Sequence, residues 1–485
     1  MKKVMNCIGG KWCDPTGNRY ADVINPSNNQ VIGQVARSTK EDVDAATAAA
    51  KEAFKSWSKM PTTRRAKFMF RLVDLITEHF EDISRLVSLE EGKNLTDARA
   101  EVKRAQENTE VATGIPSLIA GDMMQNIAGN IDGYTIKQPI GVFGIICPFN
   151  FPAMIPFWFF PYAVGTGNTV VIKVSRQVPL TMQYIMELIQ EAGFPDGVVN
   201  IVNGDREVVT AMLESEDIAG ISFVGSTPIA KLIAERCGAT GKRFQALGGA
   251  KNYFLVMPDA KMDKVISSLM TSCFGCAGER CMAASVVVGV GDVYDELIEK
   301  FRDAAAKLVV GDALDPAVDV GPVIGQGDKD RILGYIDGAI AQGAKVILDG
   351  RNPQIKGDPN GFYVGPTILE NCTRDMAIWK DEVFGPVVIC FKCDSFEEAM
   401  EHMNSHHFGN GASIFTQNGY YARQFEVDAQ AGMLGINVGV PAPMALLPFG
   451  GVKQSFFGDI KGQSKHVIDF FTTSKVVTTR FFPED

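Results

Sequence analysis

The chain has 485 residues, 46% hydrophobic and 21% charged, with a formal net charge of −10. That length exceeds what one growing core sustains, so at least two domains are expected. Acidic and basic residues are interspersed rather than blocked, which argues against nucleic acid or an anionic membrane as the main partner.

The opening MKKVMNCIGG meets glycine before any apolar run long enough for a signal peptide, so a cytoplasmic protein is expected. From 41 to 122, EDVDAATAAAKEAFKSW, TTRRAKFMFRLVDLITEHFEDISRLVSLEEGK and TDARAEVKRAQENTEVATGI carry apolar residues at three- and four-residue spacing. That period predicts a layer of amphipathic helices. After a polar link, GVFGIIC, NTVVIKV, GVVNIV and GISFVG alternate with helical stretches such as PLTMQYIMELIQEAG. Apolar strands alternating with helices predict a doubly wound parallel sheet, which binds ligands at the C-terminal ends of its strands. The run IPFWFFPYAV at 155–164 is short and broken by prolines, so it reads as a buried segment rather than a membrane span. A second α/β stretch follows, from YFLVMPDA to GMLGINV. The segments IDGYTIKQPI at 131–140 and SKVVTTRFF at 474–482 read as exposed strands without local partners, and unpaired edges predict an oligomer.

Ten cysteines include the pairs Cys273/Cys276 and Cys390/Cys393, but both lie in apolar periodic stretches rather than turn-rich knuckles. No metal site is assigned, and the thiols are expected to be free. In FVGST a strand ends at Gly225 and Ser226 before a helix, a setting for a pyrophosphate or for a plain N-cap. Lys173 ends the strand VVIKVS, where a nucleotide's ribose or phosphate would lie or where a lysine simply meets solvent. Asn150 sits in the proline-bounded turn PFNFP, able to serve a developing oxyanion or to cap its own turn. In FGCAGERCMA, Arg280 directly precedes Cys281. A helix-to-loop exit beside a cation lowers a thiol pKa, whereas Cys276 reads as packing within the helix.

Taken in order, PFNFP, VVIKVS, FVGST, LGGAKN, GERC and DEVFGPVV resemble the motif succession of the NAD(P)-dependent aldehyde dehydrogenase superfamily over nearly the whole chain. PFNFPAMIP, GAKN with VMPDA, and AGERCMA are most similar to its CoA-acylating methylmalonate (malonate) semialdehyde branch. The resemblance implies a Rossmann-type nucleotide-binding domain (1–122, 141–247 and 448–465) and a second α/β catalytic domain (248–447). It also implies small β oligomerisation strands (123–140 and 466–485), in a homotetramer or homodimer. It makes Cys281 the nucleophile and gives the oxyanion hole to Asn150 and the Cys281 backbone N–H. It gives the cofactor Phe149, Lys173, Gly225, Ser226, Glu382 and Phe384. Arg104 and Arg280 match the pair that binds the substrate's carboxylate, a clamp that would suit a sulfonate too. The implied cofactor is NAD, with Arg176 admitting NADP, and coenzyme A is the implied co-substrate.

Where hydrolytic members carry a water-activating glutamate, this chain has Leu247, which cannot act as a base; the semialdehyde branch usually has asparagine there. Glu279 is the remaining candidate base nearby, though it reads rather as a solvated carboxylate. The resulting expectation is oxidation of an anionic aldehyde through a Cys281 thioacyl intermediate that is passed to CoA. The alternatives are a hydrolytic semialdehyde dehydrogenase, an acylating enzyme for a sulfo-aldehyde, and a cysteine-rich metal-binding or regulatory protein on the same fold.

Overall fold

The computed structural model describes residues 2–482. Met1 and residues 483–485, the ends of two segments assigned from the sequence, lie outside the described residues. An eight-stranded sheet runs in the order Phe456–Phe457, Arg243–Leu247, Ile218–Val224, Val142–Ile146, Thr169–Lys173, Val199–Ile201, Asn6–Ile8 and Lys11–Cys13. Its five central strands are parallel, and antiparallel neighbours close both edges. Val142–Ile146 is buried along its whole length, as a strand covered by helices on both faces must be. The chain order reverses between Val142–Ile146 and Ile218–Val224, so a crevice opens beyond their C-terminal ends.

A seven-stranded sheet draws its strands from Asn252–Val256 to Met433–Ile436 and is parallel except at Lys345–Leu348. Three chain positions converge at the N-terminal ends of its central strands: Asn252, Gly411, and the segment before Ala284.

Three local readings change. The long helical stretch from 62 to 91 is two helices, Thr62–Glu78 and Phe80–Glu91, hinged at His79. The second stops at Gly92 in the left-handed region (φ 101°), where a Cβ would lie 2.9 Å from Pro322 and 3.0 Å from Pro26. The segments read as unpartnered strands are partners of each other. Thr472–Thr479 pairs antiparallel with Ile131–Pro139, which also pairs with Met123–Ala128. More than 300 residues of chain separate the pairing strands, so no local pattern announces the match. The run 155–164 is buried, split between the short helices Met154–Phe157 and Phe160–Thr166. Among the described residues no helix is long and apolar enough to cross a membrane. None of them gather three or more His, Cys, Asp or Glu around a point where a metal could sit.

Candidate active site

A cleft of about 850 Å³ occupies the crevice of the eight-stranded sheet, lined in part by Pro148, Lys173, Arg176, Gly225 and Ser226. Ser226 is the N-cap of helix Thr227–Thr240, yet its side chain makes no cap hydrogen bond. Pro228 at the second helical position removes one of the N–H groups an N-cap would hold, which leaves the serine hydroxyl free toward the cleft. The Gly225 N–H is already given to the Leu247 carbonyl, so Gly225 offers shape rather than a donor. Burial lowers the Lys173 pKa at the end of its strand. Arg176 is tied to Asp205 at 3.1 Å, and Arg37 shares that carboxylate at 3.2 Å.

The segment holding Glu382 and Phe384 precedes strand Val387–Cys393 of the other sheet and lines a small pocket with Ala250, Gly278 and Arg280. Buried Lys251 donates to the carbonyls of Ile378 (2.6 Å) and Asp381 (2.8 Å), which fixes the segment's entry. Glu382 accepts the Ala250 N–H at 3.0 Å, and burial pushes its carboxyl up to about 7. Phe384 is held at φ 51°, a strained setting for a bulky residue, and meets Phe149 edge-on at 5.8 Å. A free hydroxyl at a helix start, a lysine at a strand end and a carboxylate with an aromatic beyond them form a donor set suited to a dinucleotide.

The nucleophile candidate lies past helix Met262–Phe274, and here the helical reading of Cys276 fails. Cys276, Ala277 and Gly278 are consecutive left-handed residues, at φ 52°, 50° and 72°. Such a run costs about 1–2 kcal/mol at each non-glycine position, so other contacts must impose it. Asp97 accepts the Cys276 N–H (2.8 Å), the Asn150 amide donates to the Glu279 carbonyl (2.9 Å), and Gly278 packs where a Cβ would lie 2.1 Å from the Gly385 carbonyl oxygen. Two further amides, Asn252 at 2.8 Å and Asn410 at 3.0 Å, grip the Cys281 carbonyl. Asn150 therefore does not cap its own turn. One of its two amide N–H groups is engaged at Glu279, and the other has no partner among the described residues.

Cys281 is only partly buried, but its thiol is pushed up to about 12. Desolvation dominates, Glu382 adds to it, and Arg280 offsets only part. The expected lowering by the neighbouring cation is thus overruled by burial. Glu279, read as solvated, is 1% exposed; it accepts the Ile324 N–H at 3.1 Å, and burial raises its pKa well above the ordinary carboxyl value.

Against Cys281 lies a second cavity of about 150 Å³, walled by Phe151, Met154, Trp158 and Phe449 and reached by Arg104 and Arg280. Arg280 is braced at 3.0 Å by Asp97 and at 3.2 Å by the Cys276 sulfur, while Arg104 contacts Glu107 at 2.7 Å. Each guanidinium has five N–H donors, so both retain some for a ligand.

Residues 12–477 match the Aldehyde dehydrogenase family. The chain belongs to that family. Malonate-semialdehyde dehydrogenase 2 of Geobacillus thermodenitrificans (strain NG80-2) is 46% identical over 479 residues, 99% of each chain. The enzyme of the same name from Bacillus mycoides (strain KBAB4) is 44% identical over 99% of each. The crystal structure of methylmalonate-semialdehyde dehydrogenase from Oceanimonas doudoroffii matches with a TM-score of 0.98 at 42% identity, covering 100% of this chain and 99% of that one. A Sinorhizobium meliloti 1021 structure complexed with NAD reaches 0.98 at 38% identity, with the same coverage.

Leu247 is buried in the apolar core. Sequence reasoning did not single out Asp97, Lys93, Glu101 or Asn410, all of which the fold brings beneath the Cys281 and Asn150 loops. Asp97, Glu101 and Arg104 sit at i, i+4 and i+7 of helix Leu95–Thr113, hence on one face. That polar stripe was the available signal.

Proposed function

We propose that the protein is a CoA-acylating dehydrogenase of a malonate-type semialdehyde, using NAD(P). One observation carries the reading: the cavity at Cys281 is reached by two arginines, while an apolar Leu247 stands where a water-activating glutamate would be. The names of the relatives agree with it. Arg104 and Arg280 hold the carboxylate and turn the aldehyde carbon toward Cys281. The Cys281 thiolate adds to that carbon, and the free N–H of Asn150 with the Cys281 backbone N–H stabilises the oxyanion. Bound NAD(P) supplies the hydride acceptor; Lys173, Ser226, Glu382 and Phe384, with Phe149 and Gly225, would hold it.

The product on Cys281 is a thioester. Water attacks it slowly without a base, whereas the CoA thiolate attacks the carbonyl carbon directly; the new C–S bond forms, the bond to Cys281 breaks, and Cys281 leaves as thiolate. A β-carboxylate then departs as CO2: the C–C bond breaks, its electron pair passes to the thioester carbonyl as an enolate, and the α-carbon takes a proton from water to give the acyl-CoA. With Arg176 bound to Asp205, we assign NAD rather than NADP as the preferred nucleotide.

For the domains we keep the limits implied by the motifs; that each large sheet draws its strands from one side of this division supports them. The strands at 123–140 and 472–479, which leave Met123, Met124 and Val476 exposed, serve assembly into a homodimer or homotetramer. We propose a cytoplasmic location, where a reducing milieu would keep the free thiols reduced.

The arginine pair gives the direct test. A charge-assisted hydrogen bond contributes about 1.5–3 kcal/mol, so Arg104→Leu and Arg280→Leu should each raise KM for malonate semialdehyde about 10- to 100-fold while leaving KM for propanal nearly unchanged. Unchanged KM for the acidic aldehyde in both variants would remove the clamp from the account.

A further inference from the structure

Directly under the Asn150 loop lies a buried charged pair that the reaction scheme above does not use. The Lys93 and Glu101 side chains are both fully buried, with the Lys93 ammonium 2.6 Å from a Glu101 carboxylate oxygen. The same ammonium donates to the Asn150 backbone carbonyl, also at 2.6 Å, and lies 3.8 Å from the centre of the Phe151 ring. The other Glu101 oxygen accepts the N–H groups of Ala153 (2.7 Å) and Met154 (3.1 Å). One ion pair therefore grips the backbone of residues 150–154 at both ends, the ammonium holding a carbonyl and the carboxylate holding two amides.

Stability gives little reason for such a pair. Removing two charges from water costs several kcal/mol per ion, and buried pairs often match apolar residues at best. Their return is geometric specificity, and Asn150 is where specificity counts. An oxyanion donor must lie within about 0.5 Å of its productive place, and an error of about 1 Å costs about 100-fold. Glu91, a second carboxylate 3.8 Å from the Lys93 ammonium, is buried as well. Burial pushes it up to about 8, which favours its neutral form beside the Lys93–Glu101 pair.

We propose that Lys93 and Glu101 are positioning residues for the oxyanion-binding Asn150, fixing its backbone so that its free amide N–H points at the reacting aldehyde oxygen. The inference rests on the reading of Asn150 given above. Both residues sit upstream of every motif quoted for the family resemblance, Lys93 just past the Gly92 helix stop and Glu101 one turn beyond Asp97 on the helix stripe.

The test is a double-mutant cycle on the full-length enzyme, read as the first-turnover rate of NADH formation with saturating NAD and malonate semialdehyde. Lys93→Met should slow that rate about 10- to 100-fold in the wild-type background, with the Kd for NAD unchanged. In an Asn150→Ala background the same change should cost less than about 3-fold, because the group it positions is gone. Equal losses in both backgrounds, or none in the wild type, would overturn the proposal. A wild-type rate in Asn150→Ala alone would instead remove the reading of Asn150 on which it rests. Glu101→Gln, which keeps shape and one acceptor, reads the same cycle should Lys93→Met fail to fold.

Discussion

Cys281→Ala is expected to reduce aldehyde-dependent NADH formation about 10⁵-fold or more while nucleotide binding persists, because no other group near the aldehyde carbon can form the covalent bond. Cys276, five residues earlier, cannot substitute: it is buried, its sulfur is engaged by Arg280, and it does not line the cavity that Cys281 meets. The pH dependence has a definite sign. With the Cys281 thiol itself pushed up to about 12, the thiolate fraction of the free enzyme rises about tenfold per pH unit below that value. Alkylation of Cys281 by iodoacetamide without nucleotide should therefore climb from about pH 6 to about pH 9 with no plateau. Arg280→Leu should slow it further, since Arg280 lowers the thiol pKa. A plateau near pH 7, or appreciable turnover by Cys281→Ala, would count against this assignment of the nucleophile.

Asn150→Ala should lower kcat about 10²- to 10³-fold with little change in KM, the signature of a contact made chiefly as negative charge develops on the aldehyde oxygen. Two features set that magnitude. The amide is 3% exposed, so the donated hydrogen bond acts where water does not compete, and its other N–H at Glu279 prevents rotation. Steady-state kinetics with malonate semialdehyde and saturating CoA measure it. A rise in KM at constant kcat would make Asn150 a ground-state binding residue instead.

The parts of this protein that the sequence disclosed are those written in short-range patterns. Apolar strands such as GVFGIIC and NTVVIKV stand out because both faces are buried, and the ordered motifs singled out Cys281 from ten cysteines. The turn that presents Cys281 was hidden, because left-handed Cys276 and Ala277 run against local preference and are held by Asp97 and Asn150 from distant segments. Lys93 and Glu101 were hidden for a related reason: charged residues beside an amphipathic helix read as solvent-facing until the chain shows what covers them. The thiol pKa moved opposite to expectation because Arg280 is visible as a neighbour in sequence, whereas desolvation and Glu382 come only with the fold. Strand pairing between 131–139 and 472–479 depends on the whole intervening chain having folded.

The central claim is that CoA, not water, completes the cycle, and a rapid-mix experiment with malonate semialdehyde and NAD addresses it most directly. Without CoA the enzyme should release a burst of about one NADH per active site and then slow sharply as thioacyl-Cys281 accumulates, detectable as a mass adduct. Adding CoA should restore continuous turnover with acyl-CoA formed in step with NADH. Continuous turnover to a free acid at the same rate with CoA withheld would contradict the account, since it would require a water-activating base that Leu247 does not supply.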